Sequence, residues 1–104
     1  MRFDDVEALD KDEKIKTVVN HLARRFGEEA FKIQDHWDAD LVAIGFVDRE
    51  EKYLVYISAY ADDGYFVALE NLIPLGDFPY EPAGDFDNLD LEEVEKVFAQ
   101  HLRL

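Results

Sequence analysis

The spacing of apolar residues changes twice along this chain of 104 residues, and each change predicts a change of secondary structure. Near the N-terminus the apolar residues recur every three or four positions, as on one face of a helix: Ile15, Val18, Val19, Leu22, Ala23 and Phe26. Asp10 or Asp12 can cap the start of this helix, and Gly27 suits its end. The pattern therefore predicts a first helix that ends near Gly27.

Shorter apolar segments follow, bounded by polar or turn-forming residues. This pattern is typical of β-strands, and it predicts four of them, at residues 30–34, 41–47, 53–61 and 65–70. Asp63-Gly64 lies between the last two strands and is a strong hairpin signal. We therefore expect the strands to pair with their neighbours as an antiparallel meander.

The segment 71–89 contains all three prolines of the chain, and it predicts a long irregular connection. The pair Asp90 and Glu93 then has the spacing of a capping box. A second helical stripe follows it, formed by Leu91, Val94, Val97, Phe98, His101 and Leu102. We expect a C-terminal helix that begins just after Asp90.

These elements predict one domain, residues 1–104, of the α+β class: a four-stranded antiparallel meander with an N-terminal and a C-terminal helix on one face. A two- or four-residue turn at Asp63-Gly64 places Tyr60 opposite Val67. Tyrosines 56, 60 and 65 then share one face. The other face is expected to receive the helices and carries Val55, Ile57, Ala59, Phe66 and Ala68. The tyrosine face is either covered by residues 71–89 or is an interface.

Negative charge is concentrated in the second half of the chain. The whole chain has a net charge of −14, and residues 62–95 hold eleven carboxylates and no Lys or Arg. Such a surface repels nucleic-acid backbones and anionic membranes, which makes neither an expected partner. A basic protein is the natural complement. We expect a cytoplasmic protein, because the chain has no cysteine, no signal-like start and no membrane-length apolar stretch.

The sequence offers no convincing catalytic constellation and no cofactor motif. Ser58 is the only serine, and no histidine is adjacent to it. The densest set of possible metal ligands lies between the first two strands: Asp35, His36, Asp38 and Asp40. Their spacing matches no strong metal motif, and a polar turn uses the same residue types. The chain is therefore interpreted as non-enzymatic, without a metal or a cofactor.

The combination of tyrosines and carboxylates is the best candidate for function. Tyrosine gives a large rigid contact area and a hydroxyl that can hydrogen-bond, and carboxylates attract a basic partner. The alternative is that the tyrosines only pack across strands while the acids are solvated. The residues expected to bind a partner are Tyr56, Tyr60, Asp62, Asp63, Tyr65, Asp77, Tyr80, Glu81 and Asp85.

The segment 53–70, YLVYISAYADDGYFVALE, resembles the central hairpin of some small acidic bacterial immunity proteins. These proteins neutralise a toxin by covering its active surface. The resemblance implies a stoichiometric inhibitor of a basic protein such as a nuclease toxin, whose acidic surface mimics the nucleic-acid substrate.

Two other functions remain open at this point. One is an acidic secretion-type chaperone, which would act as a homodimer, whereas an inhibitor could be a monomer. The other is a metal-binding enzyme that uses the aspartates and the histidine of residues 35–40. The oligomeric state separates the first alternative from an inhibitor, and titration with divalent ions tests the second.

Overall fold

Two helices and one five-stranded antiparallel sheet form the described part of the protein. A computed structural model describes residues 11–27, 29–34, 41–59, 64–72 and 80–104, with Tyr80 described by its backbone alone. In chain order the elements are α1 (Glu13–Phe26), β1 (Phe31–Ile33), β2 (Ala43–Asp48), β3 (Tyr53–Ser58), β4 (Tyr65–Leu72), β5 (Tyr80–Leu89) and α2 (Leu91–Leu102). The α+β class, the antiparallel sheet and the two helices are confirmed, but the predicted number of strands is wrong.

Local capping interactions fix the helix ends near the predicted positions. Asp12 caps α1 by accepting a hydrogen bond from the Lys14 amide, and Gly27 ends the helix with a φ of 92°. At α2 the Asp90 carboxylate accepts from the Glu93 amide at 2.8 Å, and the Glu93 carboxylate accepts from the Asp90 amide at 3.2 Å. The predicted capping box is therefore confirmed.

Removal of this cap gives the first testable prediction. The substitution Asp90→Ala is expected to lower the free energy of unfolding by about 1 kcal/mol, because the first turn of α2 loses a hydrogen-bond acceptor. Urea denaturation followed by circular dichroism measures the loss. Glu92→Ala removes a carboxylate from the same turn but not from the capping box, so an equal loss in the two variants would contradict the prediction.

The fifth strand occupies residues 80–89 of the segment 71–89, for which the sequence predicts an irregular connection. Residues 73–79 of that segment lie outside the described residues. Among the described strands, β5 pairs with β4 alone and lies at the end of the sheet order β1-β2-β3-β4-β5. Pro82 is tolerated there because an edge strand does not need every backbone N–H for pairing. The register with β4 shifts twice, beside Gly84 and beside Asn88, whose φ values are 126° and 58°. These bulges explain why the sequence pattern does not predict the strand: they interrupt the alternation of apolar and polar residues by which a strand is recognised in a sequence.

The register of the β3–β4 hairpin also differs from the prediction. Ile57 pairs with Val67 and Ser58 with Phe66, so Tyr60 is not the partner of Val67. Residues 59–65 lie between the paired residues Ser58 and Phe66, so the connection has an odd number of residues, whereas the predicted turn has an even number. Gly64 is buried against β5, and a Cβ there would lie 2.9 Å from Asn88 Cα. The glycine is therefore explained by the close approach of another strand.

The shifted register changes which residues face the helices. As predicted, Val55, Ile57 and Ala59 of the β3 side belong to the core beneath the helices. On β4, however, the core residues are Tyr65, Val67 and Leu69, and the prediction that Phe66 and Ala68 face the helices is wrong. A one-residue change of parity moves every side chain of a strand to the opposite face.

Both helices pack into one core on this face of the sheet, which we call the helix face. Phe98 of α2 is fully buried between Phe31 and Phe46, with ring centroids 5.2 and 5.4 Å away. Its ring also stacks on Phe26 of α1 at 5.8 Å. The opposite face, here the outer face, includes the buried residues Val47 and Leu54 and the half-buried Tyr56. Neither helix takes part in a buried cluster with these residues.

Candidate functional site

Carboxylates line strand β5 and continue into the start of α2. Residues 81–88 are all exposed to solvent. The acids of this strand and of the following helix start, all exposed, are here called the acidic edge: Glu81, Asp85, Asp87, Asp90, Glu92 and Glu93. Residues 80–95 contain no Lys or Arg. The acidic edge is therefore one continuous segment of the chain with one sign of charge.

Most exposed acids elsewhere in the described residues are paired with a base. Glu13, Glu29, Glu50 and Glu51 form salt bridges with Lys16, Arg49, Lys52 and Lys32, at 2.9 to 3.8 Å. Glu81, Asp85 and Glu92 form no salt bridge within the described ranges. Exposed salt bridges stabilise a fold only weakly, but they neutralise charge locally. Three acids of the acidic edge, Glu81, Asp85 and Glu92, thus carry negative charge that no salt bridge within the described ranges neutralises.

One carboxylate of α2 is held by α1 and does not belong to this surface. Glu95 Oε1 lies 3.2 Å from Arg25 Nε and 3.3 Å from His21 Nε2. The Glu95 side chain is 21% exposed, far less than a typical exposed acid of the chain such as Glu13 at 86%. Glu95 therefore links the two helices, and the exposed carboxylates of α2 are confined to its first turn.

An open groove of about 380 Å³ adjoins β5 on the helix face. Phe86, one of the few exposed large apolar residues, is 42% exposed and forms part of its wall. The other lining residues are Tyr53, Leu69, Asn71, Ala83, Val97, Gln100, His101 and Arg103. Phe86 lies between Asp85 and Asp87 in the sequence, so β5 carries an exposed aromatic ring and exposed carboxylates side by side, a combination of apolar contact and charge that protein-binding surfaces also use.

Three polar residues of the groove, His101, Arg103 and Tyr53, contact one another or the backbone of the chain. His101 Nε2 lies 2.9 Å from the Glu70 carbonyl oxygen, and its ring contacts Tyr53 at 5.4 Å. The Arg103 guanidinium lies over the Tyr53 ring at 4.8 Å. These contacts hold the end of α2 against the sheet.

The structure separates the predicted tyrosines. Tyr56 is half-buried on the outer face, with its ring 6.4 Å from that of Phe66. Tyr65 lies on the helix face and is only 6% exposed, so the prediction of one shared tyrosine face is wrong. Its hydroxyl donates to the Lys14 carbonyl oxygen at 3.0 Å. Tyr65 is therefore a core residue with little exposed surface.

Burial of Tyr65 gives a second prediction, for alkaline pH. Desolvation raises the pKa of its phenol above the ordinary value of 10.0, because burial disfavours the charged form. The folded chain then holds this proton more tightly than the unfolded chain. The stability from this group is fully present below pH 10 and is lost as the pH rises through the folded-state pKa.

Phenolate absorbance during alkaline titration measures the effect. Tyr65→Phe is expected to remove a component that titrates above the ordinary tyrosine range, and to reduce the loss of stability at high pH. Tyr56→Phe is the matched control on the outer face. If the phenolate component that disappears in Tyr65→Phe titrates in the ordinary tyrosine range, the prediction is contradicted.

The remaining predicted contact residues are distributed as follows. Glu81 and Asp85 are exposed on β5, as expected of surface acids, and the Tyr80 backbone pairs with Leu72 at the start of that strand. Four others lie outside the described residues: Tyr60, Asp62, Asp63 and Asp77.

The alternative metal set at residues 35–40 also lies outside the described residues. Within the part of the chain that is described, no group of three or more metal-ligating side chains occurs. Across those same residues, neither helix is long and apolar enough to cross a membrane.

Sequence reasoning missed Phe86, Asp87 and the acids at the start of α2 as members of a surface. The signal was present, since all of them lie in the acidic run 62–95. The prolines and glycines of residues 71–89 favour a connection, and the spacing of Asp90 and Glu93 favours a cap, so the sequence pattern does not assign these residues to a surface. Asp85-Phe86-Asp87, a lone aromatic residue between two acids, is the local pattern that could have identified the site.

Comparisons of the chain with protein-family models, with curated proteins and with solved structures found no significant match. The site is therefore interpreted from its own geometry and charge.

Proposed function

We propose that this chain is a non-enzymatic protein-binding module whose partner is a basic protein, and that it acts as an inhibitor of the immunity-protein kind. The observation that carries the proposal is the uneven pairing of charge. Exposed acids on α1 and around β1–β3 have basic neighbours, whereas Glu81, Asp85 and Glu92 have no salt-bridge partner among the described residues. Neighbouring carboxylates on such a surface repel one another, which destabilises the fold. A cationic partner would neutralise this charge, and this gives a physical reason for the surface.

The exposed Phe86 supports a protein rather than a small cation as the partner. Its ring is 42% exposed between two acids and beside the groove. Burial of an aromatic ring supplies affinity, while charges at the rim mainly raise the association rate and select the partner. Phe86 thus offers an apolar anchor within the acidic edge.

NMR amide shifts during titration with a short oligolysine peptide test where a cation binds. We expect the largest shifts around Glu81, Asp85 and Glu92, because these acids have no salt-bridge partner among the described residues, and little change near Glu13, Glu29 and Glu50, which have one. The shifts should weaken strongly between about 0.01 M and 0.1 M ionic strength, as the Debye length falls from about 30 to about 10 Å. Shifts spread evenly over all exposed acids would contradict the proposal.

The inhibitor role has a separate test in the genetic neighbourhood. A toxin-like reading frame immediately upstream that encodes a basic protein supports the role, and co-expression of this chain should then restore growth. Toxicity that this chain does not relieve would count against inhibition, while leaving the protein-binding role in place.

A further inference from the structure

Strand β5 presents a long outer edge to solvent. It has ten residues, Tyr80–Leu89, and β4 is its only neighbour in the described sheet. A terminal strand carries backbone N–H and C=O groups on its outer side that its own sheet does not use. The opposite edge strand, β1, has only three residues. β5 is therefore the edge with room for an additional strand.

The chemistry of β5 disfavours pairing with a second copy of itself. Two copies side by side would bring the carboxylates of Glu81 and Asp85 close to those of the other chain, and like charges across a strand pair are destabilising. Pro82 and the bulges beside Gly84 and Asn88 restrict regular pairing of any added strand to the stretch around Asp85 and Phe86. A strand that carries positive charge meets no such repulsion.

The two faces of β5 differ in what they offer to an added strand. Asp85 pairs with Ala68 on the outer face, and Phe86 pairs with Val67 on the helix face. Side chains of an added strand alternate between the same two faces. A matching strand therefore needs basic residues on the outer face and apolar residues on the helix face, beside Phe86 and the groove.

We propose that the basic partner binds by adding an extended segment of alternating basic and apolar residues to the outer edge of β5. The backbone of the segment pairs with the stretch around Asp85 and Phe86. Its Lys or Arg side chains contact Asp85, and its apolar side chains pack against Phe86. This inference rests on the proposed function and specifies the mode of binding, by addition of a strand.

The test uses a synthetic peptide of alternating Lys and Val and two N-methylated analogues. One analogue is methylated at every Lys amide and the other at every Val amide, so all three peptides have the same charge. Alternate backbone N–H groups of a strand point to opposite sides, hence only one analogue blocks the side that pairs with β5. Isothermal titration calorimetry at low ionic strength measures the dissociation constants.

We expect one analogue to bind at least about tenfold more weakly than the parent peptide, and the other to bind within about threefold of it. Equal binding of all three peptides would show attraction by charge without strand pairing and would overturn this inference alone. An equal loss in both analogues would also overturn it. No binding of any peptide would contradict the proposed function itself.

A pair of charge-matched variants locates the binding. Asp85→Lys is expected to weaken binding of the parent peptide at least about tenfold, because it places a cation where the basic side chains bind. Glu50→Lys makes the same charge change in the turn between β2 and β3 and is expected to leave binding within about threefold. Equal effects of the two variants would place the peptide elsewhere and overturn the inference.

Discussion

Phe98→Ala is expected to lower the free energy of unfolding by about 3–5 kcal/mol. Phe98 is fully buried, and its ring contacts the aromatic rings of Phe26, Phe31 and Phe46 at centroid distances of 5.2 to 5.8 Å. The truncation would therefore remove the residue that joins both helices to the sheet. Domains of this size are stable by only about 5–15 kcal/mol, so urea denaturation should show a large fall in the midpoint.

Two controls separate this effect from a general intolerance of substitution. Phe98→Leu retains much of the volume and should cost less, because it leaves a smaller cavity. Phe86→Ala removes an equally large ring from an exposed position, so a small change in stability is expected. A loss for Phe98→Ala no greater than that for Phe86→Ala would mean that the core is not organised around Phe98.

The helices were predictable because their signals are local. The three- to four-residue spacing of apolar residues gave both stripes, and the caps at Asp12 and Asp90 lie within one turn of the residues they bind. The pairing of β3 with β4 depends instead on the number of residues in the connection. The prediction uses a connection with an even number of residues, and the structure has an odd number. Tyr65 therefore lies in the core and not on the face where the prediction places it.

The charge of the candidate site is visible in the sequence, but the strand that carries it is not. The acidic run was visible in the sequence, and it correctly directed attention to Glu81 and Asp85 as exposed acids. Proline and glycine obscured the strand that carries them, because their usual role as strand breakers does not apply at an edge with bulges. Which acids lack a basic neighbour is a property of the folded chain, since salt bridges such as Glu29–Arg49 join distant positions.

Neutralising the acidic edge is expected to have the largest effect on binding. The triple variant Glu81→Gln, Asp85→Asn, Glu92→Gln removes three charges that have no salt bridge in the described structure. It spares Asp90 and Glu93, which form the capping box. We expect its association rate with oligolysine, measured by stopped-flow fluorescence at low ionic strength, to fall about tenfold, because rim charges act mainly on the rate of encounter.

The matched control is Glu13→Gln, Glu29→Gln, Glu50→Gln, which changes the net charge of −14 by the same three units. These three acids already have basic partners, so removing them exposes Lys16, Arg49 and Lys52 and barely alters the field at β5. The association rate should then change less than about threefold. The two variants should also differ in stability. The control variant should have a slightly lower free energy of unfolding, because it loses weak ion pairs. The edge variant should have an unchanged or higher one, because repulsion between its carboxylates is reduced. Equal slowing of association in the two variants would mean that oligolysine responds to net charge alone, and the acidic edge would then have no special role.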